Sequence, residues 1–363
     1  MAAGLGGAAW FYLNYRFGQI QTVHVKNLVK NTKPGQPINI LLVGSDSRAF
    51  CKTASCQAHI GNQGNAGGQR SDVIIILRLV PATRKVEMLS IPRDTFVPIA
   101  DSGGSQNKIN AAFNNGPNQL VLTIEQDFHI PINQYAYANF AGFTAAVGAL
   151  GGVYLDFPDP IKDDVVGLNV VRTGCQLVAP VQVLKLVRSR DLQYEINGVW
   201  NYDGLGDLSR IRRQQAFFHA VIDKADTEDN PLAVNAFVGD AVHDIVLDST
   251  FTKFELLHLA LEFRGLASAN LSTEVLPTIG AVYNGADILL PAWTDDNAMI
   301  KGFLAFGAAS SSSSSTSSTS STSSTSSTTT TTTTLAVTGT TTPVIIDTPK
   351  NYPEPWNPFP CSP

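Results

Sequence analysis

The sequence lacks an excess of positive charge. Its 363 residues carry 25 Lys and Arg against 30 Asp and Glu, which gives a formal net charge of −5 at pH 7. A nucleic-acid-binding domain normally presents a basic face, so no nucleic-acid partner is expected. Helix-turn-helix patterns and zinc-ligand spacings are also missing, and none of the six histidines lies within a motif. These absences disfavour a transcriptional regulator, whereas the 44% hydrophobic fraction is sufficient for a globular core.

A hydrophobic run long enough to cross a membrane is missing as well. Residues 2–13 are apolar and rich in Gly and Ala, and Trp10, Phe11, Tyr12 and Tyr15 cluster before Arg16. A bilayer span needs roughly 20 residues, and no basic residue precedes this run, which disfavours a cleaved signal peptide. Because aromatic residues concentrate at membrane interfaces, we interpret residues 1–16 as a partial membrane anchor and 17–37 as a juxtamembrane stalk. A frayed apolar tail is the alternative.

Cysteine is scarce. The four cysteines are Cys51, Cys56, Cys175 and Cys361, and no histidine partner indicates a catalytic thiol. An even number suits disulfide bonds in an oxidising compartment, although three pairings are possible. A local bond between Cys51 and Cys56, which share a loop rich in Gly, Asn and Gln, would leave Cys175 to pair with Cys361. Four free buried cysteines in a cytosolic protein are the alternative.

Every residue from 310 to 334 is Ser or Thr. Such a tract cannot bury a core, so we expect it to be disordered or glycosylated. The folded domain should therefore end near residue 306. A Ser/Thr-rich disordered linker at 307–342 and a Pro-rich tail at 343–363 would follow it.

Apolar runs and their spacing predict alternating strands and helices. Strands are expected at residues 38–43, 72–79, 86–91, 135–140 and 153–157, and helices at 118–128, 140–150, 178–190 and 208–224. The first three strands begin or end at short charged motifs, and open α/β sheets bind their ligands at strand ends. The sequence thus predicts an α/β fold.

Arginine, by contrast, is concentrated. Eight of the thirteen arginines lie in four short segments, which are residues 44–48, 70–72, 91–94 and the stretch that holds Arg188, Arg190, Arg210, Arg212 and Arg213. A planar guanidinium can give two parallel hydrogen bonds to a phosphate. Aspartates placed among the arginines suit a hard divalent cation such as Mg²⁺. The combination predicts a site for a metal-bound pyrophosphate.

The candidate ligands of this site are two carboxylates and a set of cations. Asp46 and Asp72 adjoin strands that could be neighbours, so both could face one metal ion. The predicted pyrophosphate-binding residues are Arg70, Arg93, Arg188, Arg190, Arg210, Arg213 and Lys108. Arg188 and Arg190 are two positions apart, so they would not share a face of a helix. We favour an extended segment here, which would point both side chains the same way. Each aspartate could instead cap a turn or helix, and each arginine could form a surface salt bridge.

Positioned cations can supply most of the catalysis in phosphoryl transfer, because charge builds up on the phosphate oxygens. Arg93 and Arg210 are therefore the candidate catalytic residues. Asp94 is a candidate general base, although the chemistry does not demand one. Asp207 lies just ahead of the helix that bears Arg210, so it could cap that helix or hold an arginine in place.

The charged motifs occur in an order that resembles the LytR–CpsA–Psr family of cell-wall phosphotransferases. The resemblance covers residues 38–224. The matching segments are NILLVGSDSR at 39–48, RSD at 70–72, LSIPRD at 89–94, KINAAF at 108–113, GALGGV at 148–153, VRSR at 187–190 and GDLSRIRRQ at 206–214. Each motif alone is short, and their joint order carries the resemblance.

The resemblance implies a mixed central β-sheet flanked by helices, in a catalytic domain at 38–306. It implies an extracytoplasmic enzyme on a single-pass membrane anchor, with Mg²⁺ or Mn²⁺ as cofactor. Such an enzyme moves a glycopolymer, for example a teichoic acid or arabinogalactan, from a polyprenyl-pyrophosphate carrier to peptidoglycan and forms a phosphodiester. The carrier's lipid would lie against Phe140, Phe143, Val147, Leu150 and Leu184, although ordinary core packing explains each of these residues equally well.

Two other functions remain open from the sequence. A non-catalytic protein that binds a polyprenyl phosphate would need the arginines but not Asp46 and Asp72. A pyrophosphatase that hydrolyses the carrier would share the site and differ only in the acceptor. Aromatic residues at Tyr194, Trp200 and Tyr202 could form part of an acceptor groove, since aromatic rings stack on sugar faces.

Overall fold

The structure is a computed structural model that describes residues 20–30, 35–45, 71–227, 245–307, 343–345 and 357–362. The candidates Asp46, Arg70, Cys51 and Cys56 lie outside the described residues, as do residues 1–16 and the Ser/Thr-rich linker from residue 308 onward. Within the described ranges, no helix combines the length and the hydropathy needed to cross a bilayer.

Helices and strands alternate along the described chain. The α-helices are α1 (Pro117–Phe128), α2 (Phe140–Ala149), α3 (Pro180–Arg188), α4 (Asp207–Thr227), α5 (Lys253–Glu262) and α6 (Trp293–Ala305). The strands are β1 (Gln21–Val23), β2 (Ile38–Ser45), β3 (Ser71–Val80), β4 (Lys85–Ser90), β5 (Phe96–Pro98), β6 (Gln106–Lys108), β7 (Gln134–Asn139), β8 (Val153–Phe157), β9 (Ile161–Asp163), β10 (Leu168–Val170), β11 (Gly174–Val178), β12 (Gln193–Ile196), β13 (Val199–Tyr202), β14 (Ile245–Asp248), β15 (Leu271–Val275), β16 (Thr278–Tyr283), β17 (Ala286–Pro291), β18 (Val344–Ile345) and β19 (Phe359–Pro360). Short 3₁₀ helices span Pro81–Thr83, Ile109–Asn115 and Ser268–Asn270.

Seven of these strands form the central sheet, in the order β1-β14-β7-β2-β3-β4-β15. β2 runs parallel to β7 and antiparallel to β3, so the prediction of a mixed sheet is confirmed. Helices cover both faces of the sheet. Because side chains alternate along each strand, neighbouring residues of the sheet pack into different cores. Leu41 packs in a core with Leu120 of α1, whereas Ile75 packs in one that includes Phe218 of α4. Burial on both faces explains why β2 and β3 contain long apolar runs, whereas β4 carries Lys85 and Glu87.

Both ends of the described chain pack onto this fold. β1, which lies within the predicted stalk at 17–37, pairs in parallel with β14 at the sheet edge, and the nearby Val25 is buried in the core. In the Pro-rich tail, β19 pairs with β8. Cys361 forms a disulfide with Cys175, with 6.0 Å between the two Cα atoms. The predicted Cys175–Cys361 pairing is therefore confirmed, and the tail is attached to the domain.

A second group of elements packs beside the central sheet. The strands β10-β9-β12-β13 form one small sheet and β11-β8-β19 form another. Phe157 and Leu168 from these sheets share a core with Val187 of α3 and Phe217 of α4. The candidate site lies where α2, α3 and α4 meet the ends of β2 and β7.

Candidate active site

The junction of β2 and β3 is shaped by a close backbone contact. A β-bulge falls between Gly44 and Ser45, and Ser45 pairs with Ser71. A Cβ atom at Gly44 would lie 3.0 Å from the Cβ of Val73, so a larger residue would crowd that side chain. A bulge changes the direction of neighbouring side chains. Asp72, which lies opposite this bulge on β3, lines a cavity.

Two arginines from separate elements contact Asp72. The Arg93 guanidinium, in the loop after β4, forms an ion pair with the Asp72 carboxylate. Arg210 on α4 donates a hydrogen bond from Nη2 to the Asp72 carbonyl oxygen at 3.0 Å, and only 5% of Arg210 is exposed. The structure thus brings together three residues that were predicted for one site from distant parts of the sequence.

Asp207, the first residue of α4, lies at the centre of the arginines. Its Oδ1 is 2.5 Å from Nη2 of Arg210, 3.7 Å from Nε of Arg93 and 3.8 Å from Nε of Arg190. Asp207 was considered from the sequence as a helix cap or as a residue that holds an arginine. These distances favour the second role, for three arginines at once.

The predicted helix at 178–190 is shorter than expected. Its first position belongs to β11, and α3 begins at Pro180 and ends at Arg188. Proline suits the first helical turn, where a backbone N–H would have no partner. Ser189 is extended, with ψ 132°, so Arg190 leaves the helix.

The extended segment after α3 is held by Asp163. Its Oδ2 accepts hydrogen bonds from Ser189 Oγ at 2.6 Å and from the backbone N–H groups of Arg190 at 3.2 Å and Asp191 at 3.1 Å. Sequence reasoning missed Asp163, because it lies outside every motif and its partners are 26 to 28 positions away.

One cavity of about 730 Å³ connects the charged residues with an apolar wall. The charged lining includes Asp72, Arg93, Arg188, Arg190 and Arg210, and the apolar lining includes Phe140, Phe143, Leu184, Val187, Phe217 and Phe218. Arg188 bridges the two groups, since its guanidinium lies 4.2 Å from the centre of the Phe140 ring, a cation–π contact. The cavity therefore suits a ligand with an anionic group and a long apolar part.

Four predicted ligand-binding residues, Arg213, Val147, Leu150 and Lys108, do not line the cavity. Arg213 is fully buried, with Nη1 2.6 Å from Asp203 Oδ2 and Nη2 donating to the Ser189 carbonyl oxygen at 2.7 Å. It is one helical turn from Arg210 but points into the packing between α3 and α4. Val147 is buried in the second core, and Leu150, which follows the last residue of α2, is not part of the cavity lining.

Lys108 contacts Asp94, and Asp94 in turn contacts Arg93 of the site. Lys108 Nζ is 2.9 Å from Asp94 Oδ1, and Asp94 Oδ2 is 3.6 Å from Arg93 Nε. Neither residue lines the cavity. Their position favours a role in fixing Arg93 over direct contact with a ligand.

Surrounding carboxylates oppose the effect of burial on the pKa values of Arg93 and Arg210. Burial lowers the pKa of the Arg210 guanidinium, and Asp207 acts in the opposite direction. Burial also acts to lower the pKa of Arg93, but Asp72, Asp207 and Asp94 outweigh it and raise that pKa. Because guanidinium groups stay protonated in proteins, both arginines present fixed positive charge in a partly buried site.

Comparison with known proteins agrees with this geometry. The probable cell wall biosynthesis protein LcpB from Corynebacterium glutamicum is 32% identical over 243 residues, which are 66% of this chain and 54% of LcpB. The polyisoprenyl-teichoic acid–peptidoglycan teichoic acid transferase TagV from Bacillus subtilis is 29% identical over 256 residues, which are 69% of this chain and 59% of TagV. The chain thus spans a little over half the length of these two relatives.

A solved structure has the same fold. The LytR-Csp2A-Psr enzyme from Actinomyces oris superposes with a TM-score of 0.61 at 21% sequence identity, over 78% of this chain and 95% of that one. The model of the LytR_cpsA_psr family matches residues 15–301, which include every described residue that lines the cavity. On this evidence the chain belongs to the LytR–CpsA–Psr family.

Proposed function

We propose that this protein is a phosphotransferase that moves a glycopolymer from a polyprenyl-pyrophosphate carrier to peptidoglycan and forms a phosphodiester. The observation that carries the proposal is the single cavity lined both by four arginines and by apolar side chains. A polyprenyl pyrophosphate has the same two parts, a dianionic head and an apolar chain. The names of TagV, a teichoic acid transferase, and of LcpB, a cell wall biosynthesis protein, support the same function.

The carrier's lipid would lie against Phe140, Phe143 and Leu184, and its pyrophosphate against the guanidinium groups. Arg93 and Arg210 come from different elements yet share Asp72 and Asp207. A diphosphate bound there would find its cations already in place. Such preorganised positive charge lowers the barrier of phosphoryl transfer most where charge develops.

The reaction itself would be a displacement at phosphorus. An acceptor hydroxyl of peptidoglycan forms a new P–O bond to the phosphorus that carries the glycopolymer, and the bridging P–O bond to the polyprenyl phosphate breaks. The polyprenyl phosphate leaves with the bonding electron pair, and the hydroxyl proton passes to solvent. We assign Asp94 the positioning of Arg93 and Lys108, because it contacts both residues and does not line the cavity.

We also propose a divalent cation, Mg²⁺ or Mn²⁺, as cofactor. The residues fit this group in their chemistry, since Asp72 offers a hard carboxylate oxygen to the cavity, and Mg²⁺ needs only one or two carboxylates when phosphate and water complete its shell. Asp46 is the second proposed ligand. The described residues contain no cluster of three or more potential ligands, so the diphosphate would have to supply oxygens. The cation would neutralise charge on those oxygens.

We place the folded domain, which includes β1 from the predicted stalk and β19 from the Pro-rich tail, outside the membrane on an N-terminal anchor. The disulfide between Cys175 and Cys361 supports an oxidising compartment. The Ser/Thr composition of the linker is that of an extracellular stalk.

The test is incubation of the protein with a lipid-pyrophosphate-linked saccharide and Mg²⁺, with and without un-cross-linked glycan strands. We expect a covalent product between saccharide and strand only when the strands are present, and loss of that product in Arg210→Met. Release of saccharide phosphate without strands would indicate a pyrophosphatase. Carrier binding with no turnover would indicate a non-catalytic binding protein.

A further inference from the structure

The small sheet β10-β9-β12-β13 has one outward face of unusual composition. Register places six side chains on it, because directly paired residues point to the same side of a sheet. These residues are Lys162, Asn169, Gln193, Glu195, Trp200 and Tyr202, and we call them the aromatic face. The opposite face of the same strands packs inward, with Ile161 and Leu168 buried in the second core and Tyr194 against it.

Two aromatic side chains dominate this face and remain accessible. Trp200 is 38% exposed and Tyr202 is 56% exposed. They are two residues apart on β13, so they lie on the same side of the strand. The Lys162 ammonium lies 4.4 Å from the centre of the Trp200 ring, which fixes the ring orientation through a cation–π contact.

The aromatic face is joined to the cavity by one hydrogen bond. Tyr202 Oη donates to Asp191 Oδ1 at 2.9 Å. Asp191 lines the cavity next to Arg190, and its backbone is held by Asp163. A molecule resting on Trp200 and Tyr202 would therefore extend toward the arginines.

We propose that the aromatic face binds the acceptor, a peptidoglycan glycan strand, and aligns its hydroxyl with the cavity. This inference rests on the proposed transfer reaction. The acceptor carries no phosphate at the reacting position, so the arginines cannot hold it. Stacking of sugar rings on Trp200 and Tyr202, with hydrogen bonds to Asn169 and Gln193, supplies uncharged contacts of the required kind.

The charges of the face match this occupant better than a polyanionic donor polymer. Lys162, its one cation, already lies on Trp200, and Glu195 offsets it. Asp191 adds a negative charge at the side toward the cavity. With Lys162 offset by Glu195 and Asp191, the face has no net positive charge that would attract a polymer with repeated phosphates, whereas an N-acetylated sugar chain needs no basic surface.

The test is calorimetric titration of the full chain with lipid-free glycan strands, together with the transfer assay. We expect Trp200→Ala to weaken strand binding about tenfold, a loss of about 1.4 kcal/mol, and to raise the KM for strands without raising the KM for the lipid carrier. Trp200→Phe, which keeps a stacking ring, should recover most of the binding. Trp293→Ala is the matched control, because Trp293 is 46% exposed on α6, outside this sheet.

The two proposals fail in different ways. If Trp200→Ala binds strands and transfers to them as the wild type does, the aromatic face is not the acceptor site, although the transferase proposal stands. If strand binding depends on Trp200 but no product forms, the acceptor site stands and the transferase proposal falls. Displacement of bound strands by poly(glycerol phosphate) would overturn the choice of acceptor over donor polymer.

Discussion

Asp207 is the carboxylate around which the arginines of the site are arranged. Arg93, Arg190 and Arg210 reach it from three separate segments, at 2.5 to 3.8 Å. Without the Asp207 carboxylate, electrostatic repulsion would push the three guanidinium groups apart. Asp207 therefore has the features of a residue that positions the binding groups before the diphosphate arrives.

We expect Asp207→Asn to lower the free energy of unfolding by about 3 kcal/mol, because the buried Arg210 loses its charged partner. Inorganic pyrophosphate should then stabilise the variant more than the wild type, since the anion takes the place of the missing carboxylate. Urea unfolding with and without pyrophosphate measures both effects. Asp164→Asn is the matched control, because Asp164 lines the same cavity but is exposed. Equal stability of the two variants would contradict the assignment.

At the scale of elements, α4 is fixed to the loop before it by a buried ion pair and to the end of α3 by a hydrogen bond. Arg213 and Asp203 have side chains that are 0% and 1% exposed, and their charged atoms are 2.6 Å apart. Arg213 also donates to the Ser189 carbonyl oxygen, just before Arg190. The pair thus sets where α4 presents Arg210 and where the segment after α3 presents Arg190.

Breaking this pair should cost stability. Arg213→Met leaves Asp203 buried without its partner, and we expect the free energy of unfolding to fall by about 3–5 kcal/mol. Arg212→Met, an exposed neighbour on the same helix, should change it little. Urea unfolding measures both variants. If Arg213→Met kept full stability but lost stabilisation by pyrophosphate, Arg213 would belong to the binding site after all.

For the whole molecule, two buried carboxyl groups outside the cavity, Glu87 and Asp296, contribute to the dependence of stability on pH. Burial, with a contribution from Glu274, raises the pKa of Glu87 from 4.5 to about 7. Burial, with Asp295, raises the pKa of Asp296 from 3.8 to about 6. Both pKa values are higher in the folded state than in the unfolded chain, so at a pH between the two values the folded protein binds more protons. The stability that these protonated groups contribute is present at low pH and is lost as pH rises through about 6 to 7.

Asp296→Asn should therefore flatten the decline in stability between pH 4 and pH 7. The side chain is 0% exposed, and the raised pKa corresponds to about 3 kcal/mol across that range. Urea unfolding at several pH values, compared with the wild type, measures the change in slope. Asp295→Asn, exposed on the same helix, should flatten the slope less than Asp296→Asn, because Asp295 contributes less than burial to the raised pKa of Asp296. An unaltered slope in Asp296→Asn would show that this carboxyl group does not titrate with folding.

Much of the framework follows from local sequence. β2 and β3 were predictable because strands buried on both faces contain long apolar runs. The site residues Asp72, Arg93 and Arg210 were predictable because short charged motifs adjoin those runs and the start of α4. The edge strand β1 and the docked tail were not, since each is held by pairing with a strand more than 200 residues away.

The sequence by itself determined the family, most strands of the central sheet and the number of arginines and aspartates near the strand ends, because these depend on residue type and local spacing. Only the tertiary structure decided which arginine faces the cavity and which is buried in an ion pair. Arg210 and Arg213 are both arginines, one turn apart on one helix, and no local pattern distinguishes them. The packing of α3 against α4 buries Arg213 on Asp203 and leaves Arg210 beside Asp72 and the cavity. That choice is made by long-range contacts, which no short window of sequence contains.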